Sequence, residues 1–298
     1  MMINSKETII PNFLIVGAAK AGTTSLAKYL NEHPDIFISK IKEPRFFIAN
    51  TIKKTTTSDP SYNYLIKNSI LNPEDYFSLF KNRNEKAIGE ASVHYLYHHE
   101  EAINNIVKYL GTETRIIILL RNPVYRALSN WKYQDKDFLK FKEALKNEEK
   151  RKNKGYNSFW FYSELGFYYK QVNAYIKTFK NVKVILFEDF VNNTSQVMND
   201  LYDYLEVSNN FKNEDFVKHN DSSLSIIPKH NLLKNLLKNQ KRINAFNKLV
   251  SKNIVPENLY IQKKDLIYKD DISYLKNLYR EDIIKLQKLI NQDLSNWL

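Results

Sequence analysis

The residues best suited to chemistry lie in a short segment near the start of the chain, where Lys20 stands between Gly17 and Gly22. Four apolar residues, 13–16, precede the first glycine and indicate a buried strand, and a helical pattern begins at Thr23. A strand, a glycine turn and a helix in this order aim several backbone N–H groups and the positive end of the helix dipole at one point. The segment therefore predicts a binding site for phosphate.

The position of the lysine separates this segment from the phosphate loop of ATPases and GTPases. In that loop, G-x-x-x-x-G-K-[ST], a lysine follows the second glycine directly and reaches the terminal phosphates. Here Thr23 follows Gly22, and Lys20 lies three positions earlier. The apolar strand 115–120 is also followed by Arg121, where an aspartate would hold Mg²⁺ in those enzymes. Both departures argue against an ATPase or GTPase.

A second phosphate element is predicted at the end of that strand. Arg121 emerges there, Pro123 begins a helical pattern, and Ser129 lies eight residues beyond the arginine. An arginine fork can donate two parallel hydrogen bonds to one phosphate, and a hydroxyl adds a further donor. The pair is therefore suited to a nucleotide monophosphate.

Both phosphate elements resemble those of the sulfotransferases that use 3′-phosphoadenosine 5′-phosphosulfate (PAPS). Residues 17–26, GAAKAGTTSL, resemble the 5′-phosphosulfate loop, and residues 121–129, RNPVYRALS, resemble the 3′-phosphate element. Residues 42–47, KEPRFF, and 89–92, GEAS, resemble segments of the heparan-sulfate-type branch and its bacterial relatives. The resemblance covers most of the chain and is thin between residues 138 and 158.

This resemblance implies an enzyme that transfers a sulfuryl group from PAPS to a hydroxyl or amine acceptor, with a carbohydrate such as a glycan or glycolipid expected. It implies that Lys20 neutralises charge on the leaving oxygen and that Glu90 takes the proton of the acceptor. No metal is expected, because Lys20 and the backbone dipoles balance the leaving phosphate. The implied cofactor-binding residues are Lys20, Ala21, Gly22, Thr23, Thr24, Ser25, Arg121, Ser129 and Lys229, and the implied acceptor-binding residues are Lys42 and Arg45.

Structural alternatives stay open for three of these residues. Glu90 follows a short predicted strand, 87–89, and the carboxyl end of a sheet strand suits a general base, yet a carboxylate there could also be held by local N–H groups. Lys42 and Arg45 could equally belong to a charged turn before two core phenylalanines. Lys229 ends a polar segment, 219–229, that resembles the stretch closing over the adenosine phosphate in the bacterial relatives.

An α/β fold is needed to position these groups. We expect a three-layer domain with a central parallel sheet flanked by helices and a topology like that of P-loop nucleotide-binding folds. Predicted strands end at Gly17, Glu90, Arg121 and Glu188, which would bring the loop, the base and the arginine to one edge. The chain has 298 residues, 43% of them hydrophobic, and no Pro/Gly/Ser-rich linker, so one domain over residues 1–298 is predicted.

The net charge of +12 fits an enzyme that handles polyanions or a basic nucleic-acid-binding protein, and general overuse of lysine is a third explanation. A nucleic-acid-binding protein would leave both phosphate motifs without a role. A P-loop-type kinase is the other alternative, although it would need a lysine beside the second glycine and a metal carboxylate. Binding of PAPS, and not of nucleic acid, is therefore the expectation.

The remaining composition limits metal and membrane chemistry. The absence of cysteine excludes disulfides and thiolate metal sites. His94, His98 and His99 have no carboxylate arranged with them as in H-E-x-x-H, which favours core or surface histidines over a metal site. No apolar run approaches the ~20 residues of a membrane span, and no signal peptide is recognisable. These features predict a cytoplasmic protein without a membrane span.

Overall fold

Five parallel strands form the central sheet of the computed structural model, which describes residues 10–211, 225–237 and 239–298. The strands lie in the order β2-β3-β1-β4-β5, and each neighbouring pair is parallel. Their bounds are β1 Phe13–Gly17, β2 Ile36–Ile38, β3 Ala87–Ala91, β4 Arg115–Leu120 and β5 Val182–Leu186. Unbroken apolar runs such as residues 116–120 are buried because helices cover both faces of a parallel sheet.

Helices connect and cover these strands. The α-helices are α1 Thr23–Leu30, α2 Ala49–Lys54, α3 Tyr62–Lys67, α4 Pro73–Ser78, α5 His99–Leu110, α6 Pro123–Tyr133, α7 Phe141–Lys146, α8 Glu148–Asn153, α9 Tyr168–Thr178, α10 Phe187–Asn192, α11 Thr194–Tyr204, α12 Asn231–Leu236, α13 Gln240–Ser251 and α14 Lys269–Ile290. Short 3₁₀ helices are Phe46–Ile48, Ser158–Trp160, Glu164–Gly166, Glu257–Leu259, Lys263–Leu266 and Ser295–Trp297. Helix α14 packs on α9 and α6.

The predicted α/β fold with a parallel sheet flanked by helices is confirmed. Because β1 lies between β3 and β4, the loop after β1 and the segment after β4 leave the same edge of the sheet side by side. Gly17 of β1 pairs with Ile118 of β4. Arg121, three residues further along, therefore lies level with the loop that follows Gly17. This strand order brings two distant sequence motifs together.

A second, smaller sheet lies late in the chain. Strands β6 Ile226–Pro228 and β7 Tyr260–Gln262 pair antiparallel. Ile226, Val250 and Tyr260 form a separate small apolar cluster there. The prediction of one domain over the whole chain remains a prediction. Within the described part of the chain, no helix is both long and apolar enough to cross a bilayer.

Candidate active site

The turn between β1 and α1 has the geometry of an anion cradle. Lys20 and Gly22 have left-handed backbone angles, with φ of 68° and 92°. The N–H groups of Ala18 and Ala21 are used within the fold, donating to Leu119 O at 2.7 Å and to Ala18 O at 3.2 Å. In contrast, five N–H groups of this turn donate to no acceptor among the described residues: those of Ala19, Lys20, Gly22, Thr23 and Thr24. A turn with five free donors at a helix N-terminus suits a phosphate or sulfate group.

Gly22 is required by two independent features of its position. Its φ of 92° is disfavoured for residues with a Cβ, and a Cβ would lie 3.0 Å from the ring of Phe187. The guanidinium carbon of Arg121 lies 4.6 Å from the centre of the same ring. Phe187 thus packs against both the cradle and the arginine.

Arg121 lies directly against the cradle. Its Nη1 donates to the backbone oxygen of Lys20 at 3.1 Å, although the two residues are 101 positions apart. The hydroxyl of Tyr168 donates to the backbone oxygen of Arg121 at 2.9 Å, which fixes the point where the chain leaves β4. The arginine and the lysine that the sequence assigned to one nucleotide are therefore neighbours.

The ammonium group of Lys20 lies among other positive charges. Its Nζ is 3.7 Å from the centre of the Tyr133 ring, a cation–π contact. Burial lowers the pKa of Lys20 to about 8, and the neighbouring charges add to the effect; they belong to Lys42, Arg121, Arg126 and Lys132. A group of mutually repelling cations around a cradle of N–H donors is complementary to a polyanion.

Ser129 belongs to the same face of α6 as Tyr133. The two residues are four apart in one helix, so their side chains project in the same direction, and Tyr133 covers Lys20. The Ser129 side chain is half-buried, and its hydroxyl forms no hydrogen bond with the described residues. It is available to a ligand that also contacts Lys20.

Lys42 also reaches the cradle, and the glutamate next to it faces the same region. The Lys42 Nζ donates to the Thr24 hydroxyl. Glu43 has a left-handed backbone, with φ of 61°, and its Oε2 accepts a hydrogen bond from Val93 N at 3.1 Å, whereas Oε1 accepts none from the described residues. Burial raises the pKa of Glu43, although the nearby Arg45 and Lys42 oppose the shift. Sequence reasoning missed Glu43, and its position beside Lys42 was the available signal.

Arg45 is buried within the turn that presents Lys42 and Glu43. The side chain is only 3% exposed, and Nη1 donates to Glu43 O at 2.9 Å. Its backbone N donates to the hydroxyl of Ser92 at 3.2 Å. Phe46 and Phe47 are buried next to Arg45. Arg45 therefore fits the alternative of a charged turn before two core phenylalanines.

Glu90 lies inside β3 and not after its end, because the strand continues to Ala91. Its side chain is 0% exposed, and its Oε2 accepts a hydrogen bond from the Ser92 hydroxyl at 2.9 Å. Burial raises the pKa of Glu90 to about 8, against the opposing hydrogen bonds of Tyr95 and Ser92. A neutral carboxyl sealed from solvent does not fit the role of general base expected from the sequence. Through Ser92, Glu90 instead supports the backbone of Arg45.

Lys229 lies outside this constellation. It follows β6, is exposed, and its backbone N donates to Leu259 O at 2.9 Å, while its Nζ lies 3.4 Å from Glu257 O. These contacts fix it to the small sheet and not to the cradle. Residues 219–224 of the polar segment that suggested a cofactor contact lie outside the described residues.

His94 and His99 are buried, and His98 is half-buried. His94 and His98 both hydrogen-bond the hydroxyl of Ser158, at 2.8 and 2.9 Å, and His94 packs on the ring of Phe159. Burial lowers the pKa of His98 to about 4. In the described parts of the chain, no three His, Cys, Asp or Glu side chains are grouped so as to hold a metal ion.

Comparison with known proteins agrees with the geometry of the cradle. Residues 11–286 match the model of a family described as Sulfotransferase domain. The crystal structure of a sulfotransferase from Alicyclobacillus acidocaldarius is similar, with a TM-score of 0.73 and 31% identity over 97% of this chain and 99% of that one. The membrane-associated sulfotransferase kil1 of Dictyostelium discoideum is 32% identical over 134 residues. That match covers 44% of this chain and only 24% of the longer relative.

The protonation of Glu90 has a measurable consequence for stability. Its pKa is about 8 in the folded chain, against an ordinary value of 4.5, so folding takes up a proton between these two pH values. Stability should therefore fall as pH rises through this window, by up to about 1.4 kcal/mol per pH unit. Glu90→Gln should remove this part of the slope, and the exposed Glu281→Gln should keep it, as measured by urea unfolding at several pH values. Equal slopes in all three proteins would contradict a neutral Glu90.

The lowered pKa of Lys20 predicts pH-dependent anion binding. Lys20 is protonated below about pH 8 and loses its charge above it. The dissociation constant of adenosine 3′,5′-bisphosphate, measured by calorimetry, should therefore rise by up to about tenfold per pH unit above the pKa. Lys20→Arg should flatten this dependence, because a guanidinium stays charged. An equally steep dependence in Lys20→Arg would assign the titration to another group.

Proposed function

This chain belongs to the sulfotransferase domain family, and we propose that it transfers the sulfuryl group of PAPS to a hydroxyl or amine of a carbohydrate acceptor. The observation that carries the proposal is the contact between Arg121 and the Lys20 backbone, beside a turn with five free N–H donors. PAPS has an anionic group at each end of its ribose, a 5′-phosphosulfate and a 3′-phosphate. The cradle suits the first group, and Arg121 with Ser129 suits the second.

Bound PAPS supplies an activated sulfuryl group and a phosphate that leaves as part of adenosine 3′,5′-bisphosphate. The N–H groups of Gly22, Thr23 and Thr24 orient the 5′ end, and the hydroxyls of Thr23, Thr24 and Ser25 lie in the same turn. The Lys20 ammonium offsets the negative charge that develops on the leaving oxygen. The cations around Lys20, which together with burial lower its pKa, also stabilise the negative charge on the leaving oxygen.

Glu43 replaces Glu90 as the general base in this proposal. Its free Oε1 can accept the proton of the acceptor while the new oxygen–sulfur bond forms and the bond from sulfur to the leaving oxygen breaks. A raised pKa strengthens a carboxylate as a base, provided that an acceptor can reach it. Glu43 meets that condition, since it is partly exposed, its neighbour Lys42 contacts Thr24, and its charge acts on Tyr133 above Lys20.

The carbohydrate acceptor is supported by the resemblance of residues 42–47 and 89–92 to segments of the heparan-sulfate-type branch. The hydrogen bond from Lys42 to the Thr24 hydroxyl supports an acceptor site beside the cradle. Kinship with that branch, independence from metal and a cytoplasmic location remain parts of the proposal. The kinase alternative is disfavoured by the position of Lys20 inside the turn.

Ligand-induced stabilisation tests the assignment of the cofactor. Adenosine 3′,5′-bisphosphate with EDTA should raise the melting temperature, and ATP with Mg²⁺ or a single-stranded oligonucleotide should raise it less. Arg121→Ala should weaken binding of the bisphosphate by about 10- to 100-fold, because a bidentate charged contact is lost. Its binding of adenosine 5′-phosphosulfate, which has no 3′-phosphate, should change far less. The assignment of Arg121 fails if both ligands lose affinity equally.

Turnover distinguishes the two carboxylates. Glu43→Gln should lower kcat by about 10²- to 10⁴-fold, because the proton acceptor is lost, while affinity for adenosine 3′,5′-bisphosphate stays within about twofold. Glu90→Gln should retain most of the activity, since the native carboxyl is already neutral at pH 7. The measurement is release of adenosine 3′,5′-bisphosphate with a panel of carbohydrate acceptors. The reverse pattern would return the base to Glu90.

A further inference from the structure

The positive charge of the chain is concentrated in one late segment. Between Asp221 and Glu257 the sequence contains no acidic residue. It contains seven lysines and arginines, more than half of the net +12: Lys229, Lys234, Lys238, Lys241, Arg242, Lys248 and Lys252. General overuse of lysine does not explain this distribution, because the acidic residues are excluded from the same stretch.

Most of these charges face solvent on α12, α13 and their ends. Lys229, Lys241, Arg242, Lys248 and Lys252 are exposed. Positions 241, 248 and 252 recur at helical spacing, so they project from one side of α13. None of the six basic residues of the segment that the structure describes takes part in an ion pair with another described residue. The charge is therefore uncompensated.

Large apolar side chains are exposed in the same segment. Leu232 is 79% exposed, the highest value among the large hydrophobic residues that the structure describes, and Leu236, one turn further along α12, is 55% exposed. Leu249 and Ile254 are 42% and 60% exposed. Helix α12 buries none of its residues. Exposure of such leucines to water is unfavourable, and an apolar partner that covers them lowers the free energy.

We propose that α12, α13, Lys252 and Ile254, together called the basic helical surface, dock this protein on an anionic lipid bilayer. Lysines next to exposed leucines are the combination that an interfacial helix uses, because the cations attract lipid headgroups while the leucines enter the acyl boundary. A nucleic acid would use the cations but not the leucines, since its bases stack on aromatic rings. The segment offers one aromatic ring, Phe246, and that ring packs into the small apolar cluster.

The basic helical surface lies close to the end of α6, because Nε2 of Gln240 donates to Oδ2 of Asp135 at 2.5 Å. A cavity of about 560 Å³ is bounded by Asn235, Asn239, Gln240 and Arg242 of this segment and by Tyr64. Tyr133 is the last residue of α6, and its ring covers Lys20. Docking would hold the site beside the bilayer, so an acceptor anchored in that membrane would be within reach; this consequence alone rests on the proposed function.

Vesicle co-sedimentation of the full chain without nucleotide tests the docking. The wild type should bind vesicles made of equal parts phosphatidylcholine and phosphatidylglycerol, bind vesicles of phosphatidylcholine far more weakly, and release from the mixed vesicles at high salt. Lys248→Gln with Lys252→Gln should weaken binding by about 30-fold, about fivefold for each charge. Leu232→Asn with Leu236→Asn should weaken it by about tenfold or more.

Matched variants on α14 control for charge and apolarity elsewhere. Lys285→Gln with Lys288→Gln, and Tyr274→Asn with Ile284→Asn, change exposed residues outside the basic helical surface and should bind as the wild type does. Circular dichroism and melting temperature confirm that each variant is folded.

Equal binding to both kinds of vesicle, no binding, or equal losses in the α14 variants would overturn the proposal. So would tighter binding to a single-stranded oligonucleotide, or sedimentation without vesicles through self-association. Binding of adenosine 3′,5′-bisphosphate, measured separately, keeps this outcome distinct from that of the proposed function.

Discussion

Mutual repulsion among partly buried cations is the interaction on which the site depends. Burial lowers the pKa of Lys20, and the positive charges of Lys42, Arg121, Arg126 and Lys132 lower it further. Such a group raises the free energy of the empty site, because burial removes the water that would screen the charges. A ligand with two anionic ends relieves both the repulsion and the unused N–H donors. The free energy of binding therefore comes from the repelling cations and the unpaired N–H donors that the fold holds in place.

The cations and the N–H donors are held in place by strand pairing and by packed side chains. Parallel pairing of β1 with β4 fixes the distance between the two phosphate elements, and Phe187 fills the space beside Gly22 and Arg121. The hydroxyl of Tyr168 holds the backbone of Arg121. None of these groups needs to touch the ligand. They prevent the cations from moving apart, which is what preorganises the site.

Burial gives two carboxyl groups different roles although it shifts both pKa values upward. Glu90 lies within a strand between two others, has no route to solvent, and supports the turn at Arg45 through Ser92. Glu43 lies on that turn, is partly exposed, and has one carboxylate oxygen without a partner among the described residues. A raised pKa alone therefore does not identify a general base. Access to the acceptor decides between the two.

Local sequence patterns were sufficient to predict the glycine turn at residues 17–22, the parallel sheet and an arginine at the end of a buried strand. These features depend on local patterns: glycine spacing, unbroken apolar runs, and an arginine at the end of a strand. Lys42 was suggested by the resemblance of residues 42–47 and not by a local pattern, and its contact with Thr24 was not predicted. The parallel sheet is confirmed because strands of this kind depend on residues close together in the chain, whose conformations follow from sterics and periodicity. The binding roles of Lys20, Arg121 and Lys42 remain predictions.

Which side chains are buried and which are reachable depends on how distant segments pack. The sequence could not show that β3 extends one residue past Glu90, or that Arg45 turns inward, because burial depends on which strands lie on either side. It also could not show that the leucines of α12 remain uncovered beside the lysines of α13, since their helical spacing is equally typical of a packed face. Side-chain exposure is a property of contacts between distant segments, and no local pattern contains it.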